Sequence, residues 1–252
     1  MKLYKYVPFN DGSLNILTHN TMKFSSYSEF NDPFDCVVNY DIEKSMEYVI
    51  NERSDLLKAA GEHLKLSPAQ RIQKKSVMLA NIQRSMEQGA IAQDLASAWG
   101  ICSLSDNPNS ILMWSHYADL HRGFVVEFET DDRYLADYPE RTLASWPVEY
   151  SESMPKTHMG VRGFDAVKKQ FLVKATDWSY EREHRCLAHV AGPGIHKFRP
   201  EIMTGVIAGA KMQANNFDKL QDLVAHYNKV HNLNVSMHKM TMVRDRYELV
   251  FV

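Results

Sequence analysis

The 252-residue chain predicts an α+β fold on a mainly antiparallel or mixed sheet, for three reasons. Short strand-like runs are numerous, the helical stretches between them come at uneven intervals, and no regular strand–helix–strand alternation runs through the chain. Residues 3–7 read as the first strand, 13–20 as a short helix and 22–26 as a second strand, with Asn10, Asp11 and Gly12 as the turn after the first. From 41 to 98 the period becomes helical. Met46, Val49, Ile50, Leu56, Leu57, Ala60 and Leu64 recur at helix spacing, and Ser67-Pro68 opens a second helix carrying Ile72, Leu79, Ile82 and Met86. The expectation is one domain over 1–252 with 41–98 inserted as a helical hairpin whose basic residues form a solvated face.

Strand signals return at 101–104. A short helix follows at 111–120, stopped by Gly123, and then a strand at 124–129 with Phe124, Val126 and Phe128 on one face and Glu127 and Glu129 on the other. Residues 148–150 are a further strand candidate, 164–174 a helix, and 184–190 a strand. The end reads as strand (205–208), helix (215–230), strand (235–242) and strand (247–252).

Composition narrows the function classes. A formal charge of −2 gives no overall basic field, so nucleic acid is neither implied nor excluded. Cys36, Cys102 and Cys186 are far apart, which argues against a disulfide framework or a cysteine-rich zinc site and fits a cytoplasmic protein. The N-terminal residues lack a signal-peptide core and no stretch is apolar enough to span a membrane, so no membrane partner is expected.

Three stretches carry candidate chemistry. WSYEREHRC, residues 178–186, sets Glu181, Glu183 and Arg185 at alternate positions, which on a strand would place all three charges on one face as a core begins. Two carboxylates so placed could stabilise the oxocarbenium ion formed as a glycosidic bond breaks and orient the incoming nucleophile. NAD carries such a bond, between ribose and nicotinamide. FSSYSEFNDPFD, residues 24–35, holds an Asn31-Asp32-Pro33 turn between Phe30 and Phe34, after the hydroxyls Ser25 and Ser26. SILMWSHYADLHRGF, residues 110–124, places Met113, Trp114 and Tyr117 on one side of a helix. Its His116, Asp119 and His121 lack the HExxH spacing, and no metal site is assigned.

Together these stretches resemble the bacterial family known as domain of unknown function 2971. The resemblance rests on Leu3-Tyr4-Lys5-Tyr6, on FNDPFD at 30–35, on a serine-containing strand before MWSHYA at 113–118, and on Trp178, Glu181, Glu183 and Arg185 in a W-x-x-E-x-E-x-R element. It spans nearly the whole chain and implies no activity. A looser resemblance links the chain to the ADP-ribosyltransferase superfamily, whose members set a polar or aromatic residue on a first strand, a serine or aromatic residue on a later one, and a glutamate on a third. That likeness implies an ADP-ribosyltransferase-like fold and NAD as substrate. It implies Glu183 at the ribose and oxocarbenium ion, Glu181 toward the acceptor, Tyr4 or Tyr6 on the first strand, and Ser25 or Ser26 as the hydroxyl bracing Glu183.

The leading expectation is therefore an NAD-consuming enzyme, an ADP-ribosyltransferase-like transferase or NAD glycohydrolase. Glu183 and Glu181 are its catalytic residues, and Tyr4, Tyr6, Ser25, Ser26, Phe30, Asn31, Asp32, Trp114, His116, Tyr117 and Arg185 are its NAD-binding residues. The charges are expected to line a cleft, with Asp32 and His116 close to Glu183. Analogy with other NAD-consuming proteins points to phage defence or a toxin pair. Two further readings stand beside it: a metal-dependent nuclease or phosphodiesterase using Asp32, Asp35 and the glutamates, and a non-catalytic sensing or interaction module in which the same residues form a structural network.

Overall fold

The computed structural model describes residues 1–130 and 142–252, and the chain divides into two compact units. The first takes Met1–Glu29, Trp99–Val148 and Asp177–Val252; the second takes Phe30–Ala98 and Glu149–Thr176.

The first unit is built on a sheet of eight strands among the described residues. From one edge to the other they run Leu249–Phe251, Ser236–Met242, Met203–Ala208, Phe124–Glu129, Lys2–Val7, Gly100–Ser105, Glu183–Ala188 and Ser145–Pro147. Every pairing is antiparallel except that of Met203–Ala208 with Ser236–Met242, where the helix Ala214–His231 supplies the crossover that a parallel pair requires. The fold is thus α+β with a mainly antiparallel sheet, as the sequence predicts.

Alternation along the strands divides the buried residues between two faces. Leu3, Val126, Phe128, Cys102 and Cys186 join one core with Leu14 and Leu17 of the helix Asp11–His19 and Leu220, Val224 and Tyr227 of Ala214–His231. Tyr4, Tyr6, Val125 and Ile207 join the other, against Met113 and Trp114 of the helix Ile111–Tyr117. The first helix begins at Asp11, earlier than expected, because the Asn10 side chain accepts from Ser13 N at 2.9 Å and caps it. Helix Ile111–Tyr117 ends before Gly123. Asp119, Leu120 and His121 all take left-handed φ (47°, 55° and 70°) and turn the chain back into the central strand. Gly123 serves a different purpose from a helix stop: a Cβ there would lie 2.2 Å from the Val7 carbonyl oxygen.

The second unit carries most of the helix that the sequence places at 41–98. In place of a hairpin there are five helices, Ile42–Glu52, Ser54–His63, Pro68–Gln73, Lys75–Glu87 and Ala90–Ser97. The breaks have local causes. Arg53 and Lys74 leave helical geometry, Gly89 is left-handed at φ 73°, and Ser67 and Gln70 form a reciprocal capping box ahead of Pro68. Val49, Ile82 and Met86 are the core of this bundle. The same unit includes the helix Phe164–Phe171 and two short parallel pairs, Asn39–Tyr40 with Lys156–Thr157 and Glu149–Ser151 with Val173–Ala175. The second unit thus draws on two separate stretches of chain, 30–98 and 149–176, of which the helical insertion expected at 41–98 is one part.

Glu127 is the buried carboxylate at the middle of the sheet. It receives Lys2 Nζ at 2.9 Å, Thr204 Oγ1 at 2.7 Å and the Tyr4 hydroxyl at 3.1 Å. Burial alone would raise its pKa, but the Lys2, Thr204 and Tyr4 hydrogen bonds and the Lys2 charge outweigh it and hold the group below the usual glutamate range. A carboxylate depressed in the folded state contributes stability in full above its unfolded pKa and loses it as pH falls through the folded value. Glu127→Gln is therefore expected to flatten the acid limb of a stability–pH curve measured by urea unfolding. An acid limb as steep as that of the wild type would contradict this assignment.

Candidate functional site

The strand Glu183–Ala188 lies against Gly100–Ser105 with Glu183 opposite Ser105 and Arg185 opposite Ser103. Ser105 is in turn the residue paired with Tyr4, and Tyr4 stands opposite Glu127. Directly opposed residues of antiparallel strands share a face, so Glu183, Ser105, Tyr4 and Glu127 form one polar row across four adjacent strands. The row lies on the face packed by Met113 and Trp114.

Between Lys2–Val7 and Gly100–Ser105 the register is set by Tyr4 and Ser105 alone. Side chains supplement that thin pairing. Lys5 Nζ donates to the Ser103 carbonyl at 2.8 Å, and the Tyr6 hydroxyl donates to the Asn107 carbonyl at 2.6 Å. Tyr6 also meets Trp114 edge-on at 5.4 Å between ring centroids.

Glu181 and Glu183 do not share one strand, contrary to the expectation from their alternation. Glu181 ends the 3-10 helix Thr176–Glu181, Arg182 turns the chain at φ 47°, and the strand begins at Glu183. The turn is pinned from the neighbouring strand: the Ser105 hydroxyl donates to the Glu181 carbonyl at 2.6 Å, and Arg182 pairs with Asp106 at 2.6 Å. Both carboxylates are buried, Glu181 at 3% exposure and Glu183 at 4%, so neither stands in open solvent. Glu183 accepts from Arg185 Nε at 2.8 Å and Nη2 at 3.0 Å, and Arg185 itself is fully buried. Glu181 accepts from the Tyr117 hydroxyl at 2.5 Å.

The phenols around the carboxylates are held as proton-bearing donors. Tyr4 is pushed up to about 12 by burial, reinforced by the Glu127 charge and hydrogen bond. Tyr117 is raised by burial and then by its bond to Glu181, and Tyr6 chiefly by burial. His184 is pulled down by burial, against the opposing pull of Asp106 and Glu183.

An aromatic group flanks Glu181. Tyr180 lies 6.1 Å from His116 and 6.0 Å from Trp178 between ring centroids, and His116 lies 6.3 Å from Tyr117. His116 is exposed, while Tyr117, Trp178 and Tyr180 are half-buried, so parts of these rings reach the surface. Trp114 is fully buried and donates its Nε1 hydrogen to the Pro108 carbonyl at 2.8 Å, a core position rather than a stacking surface.

Among the predicted site residues, the structure brings together Glu181, Glu183, Arg185, Tyr4, Tyr6, His116 and Tyr117 within the first unit. Ser25 forms a backbone bridge to Ile101, and the Ser26 hydroxyl accepts from Ser28; the serine opposite Glu183 is Ser105. Phe30, Asn31 and Asp32 belong to the second unit. There Asp32 Oδ1 accepts from Phe34 N at 2.9 Å in a side-chain-stabilised turn, and Asp35 pairs with buried Lys174 at 3.5 Å. Phe34 is 65% exposed rather than buried beside this turn. Sequence reasoning passed over Ser105, Glu127 and Tyr180. The signal for Ser105 was present, since Ser103 and Ser105 alternate along a strand just ahead of MWSHYA. Among the described residues no three His, Cys, Asp or Glu side chains are grouped to hold a metal ion.

Residues 113–186 match the family model described as Protein of unknown function (DUF2971), which supports the family read from the motifs. The matched span includes MWSHYA and the W-x-x-E-x-E-x-R element, whereas the opening strand and FNDPFD lie outside it. No curated protein and no solved structure gives a significant match to the chain.

Removing one partner of a buried ion pair leaves an uncompensated charge and costs about 3–5 kcal/mol, whereas replacing both partners costs less. Arg185→Met is expected to destabilise the protein by about that amount, and Glu183→Gln combined with Arg185→Met by less than Arg185→Met alone. A double variant that melts lower than the single one would contradict a buried pair held by mutual compensation.

Proposed function

We propose that the protein consumes NAD, as an ADP-ribosyltransferase-like transferase or an NAD glycohydrolase. The reading is carried by one observation: Tyr4, Ser105 and Glu183 stand in register on three adjacent strands. This is the order of first-strand aromatic, serine and glutamate that the superfamily resemblance implies. Ser105, rather than Ser25 or Ser26, is the serine opposite Glu183 on the neighbouring strand.

In this reading Glu183 is the carboxylate that faces the ribose. As the bond between C1′ and the nicotinamide nitrogen breaks, its electron pair leaves with nicotinamide, which becomes neutral, and positive charge gathers on the ribose. Glu183 stabilises that charge, and Arg185 holds the carboxylate in one orientation. Water or an acceptor nucleophile then forms the new bond at C1′ and gives up its proton to Glu181. The partly exposed rings of His116, Tyr117, Trp178 and Tyr180 offer surfaces for the nicotinamide or adenine ring. The three buried free cysteines accord with a cytoplasmic setting.

The deep burial of both carboxylates favours a second reading, in which the network is structural and the protein senses or binds rather than catalyses. The two separate in one experiment, performed below the melting temperature of every variant. Wild-type protein is expected to be stabilised by NAD and to release nicotinamide, and Glu183→Gln to lose about a hundredfold or more of that release while remaining folded. A wild type that neither binds NAD nor releases nicotinamide, with Glu183→Gln merely melting lower, would leave the structural reading standing.

A further inference from the structure

Ile42–Glu52 and Lys75–Glu87 enclose an open groove of about 780 Å³ in the second unit. Its apolar residues are Ile42, Met46 and Ile50, and its charged ones are Glu43, Glu47 and Glu87. No lysine or arginine lines it. Asn51 and Gln83 complete the lining, and a concave surface with apolar residues and only acidic charges calls for an occupant that is convex, apolar at its tip and basic around it.

The same unit presents such a feature. Where Pro68–Gln73 gives way to Lys75–Glu87, the chain makes a knuckle at Lys74. Ile72 is 81% exposed and Val77 50% exposed, with Lys74 and Lys75 exposed between them. Exposed apolar and basic residues thus stand together within residues 72–77.

We propose that the chain self-associates, with the Ile72–Lys74–Lys75–Val77 knuckle of one copy seated in the Ile42/Met46/Ile50 groove of another. The glutamates of the groove meet the lysines of the knuckle, which sets orientation and excludes groove-to-groove pairing through like-charge repulsion. Two different patches meet in this contact, so it is complementary rather than self-matching. The proposal is independent of the NAD chemistry.

Light scattering coupled to gel filtration tests it on the full chain over a concentration series. Wild-type protein is expected to gain mass with concentration, and to lose it at high salt. Lys74→Glu with Lys75→Glu, and separately Glu43→Lys with Glu47→Lys, are each expected to weaken association by at least about tenfold. All four positions are exposed, and circular dichroism checks that each variant is folded. Mixing the two charge-reversed proteins is expected to restore the contact, since one then carries glutamates on both patches and the other lysines on both, and every knuckle-to-groove contact between them joins opposite charges. The variant reversed at all four positions pairs opposite charges again and is expected to recover association. A wild type monomeric at every concentration overturns the proposal, even if a synthetic Lys/Leu helical peptide binds the groove, because that outcome assigns the groove to another protein. Association that neither reversal weakens overturns it as well.

Discussion

A fully charged guanidinium with no exposure to water must be compensated where it lies, and Glu183 supplies Arg185 with two charge-assisted hydrogen bonds. The pair occupies the start and third position of one strand, so satisfying the charge also fixes where that strand begins and which face its odd-numbered residues take. Glu183 then falls opposite Ser105, and Cys186 faces the other core. Ser105 turns its hydroxyl to the Glu181 carbonyl, which holds the left-handed turn at Arg182 and delivers Glu181 to Tyr117. Much of the local geometry follows from one buried ion pair and one serine.

The thin pairing between Lys2–Val7 and Gly100–Ser105 gives that geometry a functional interest. A sheet whose middle is joined at a single registered pair leaves polar side chains to bridge the rest, and those are the groups that a ligand could engage. Tyr4 is shared between the two halves of the row: its backbone registers with Ser105 and its hydroxyl bonds to Glu127. A buried polar row of this kind is costly unless each member is satisfied, and its Lys2, Thr204, Tyr4 and Arg185 partners meet that cost. Proteins tend to retain such arrangements where chemistry or recognition needs them.

Much of the fold was legible because period-two and helical patterns are local. Phe124–Glu129 shows its two faces in its own letters, and the strand near 184 and the final helix follow from the same alternation and spacing. The misplaced features depend on contacts distant in sequence. Nothing local distinguishes Ser105 from Ser25 as the partner of Glu183, since the choice is made by strand order across the sheet. The Glu181-Arg182-Glu183 run reads as a strand until Ser105, from another strand, holds the turn at Arg182. Trp114 looked available for stacking because its burial comes from the sheet beneath it, and helix spacing shows only which side it takes. The five helices of the second unit show the converse: their breaks are local, at Arg53, Ser67, Lys74 and Gly89, yet the apolar spacing runs through them and masks all but the Ser67-Pro68 cap.

Hydrogen exchange with and without saturating NAD tests the central claim most directly, because it reports where a ligand acts without relying on turnover. NAD held at Glu183 is expected to slow exchange in Lys2–Val7, Gly100–Ser105 and Glu183–Ala188 and to leave the helices of the second unit unchanged. No NAD-dependent protection in these three strands, or protection confined to the helices between Ile42 and Ser97, would contradict it.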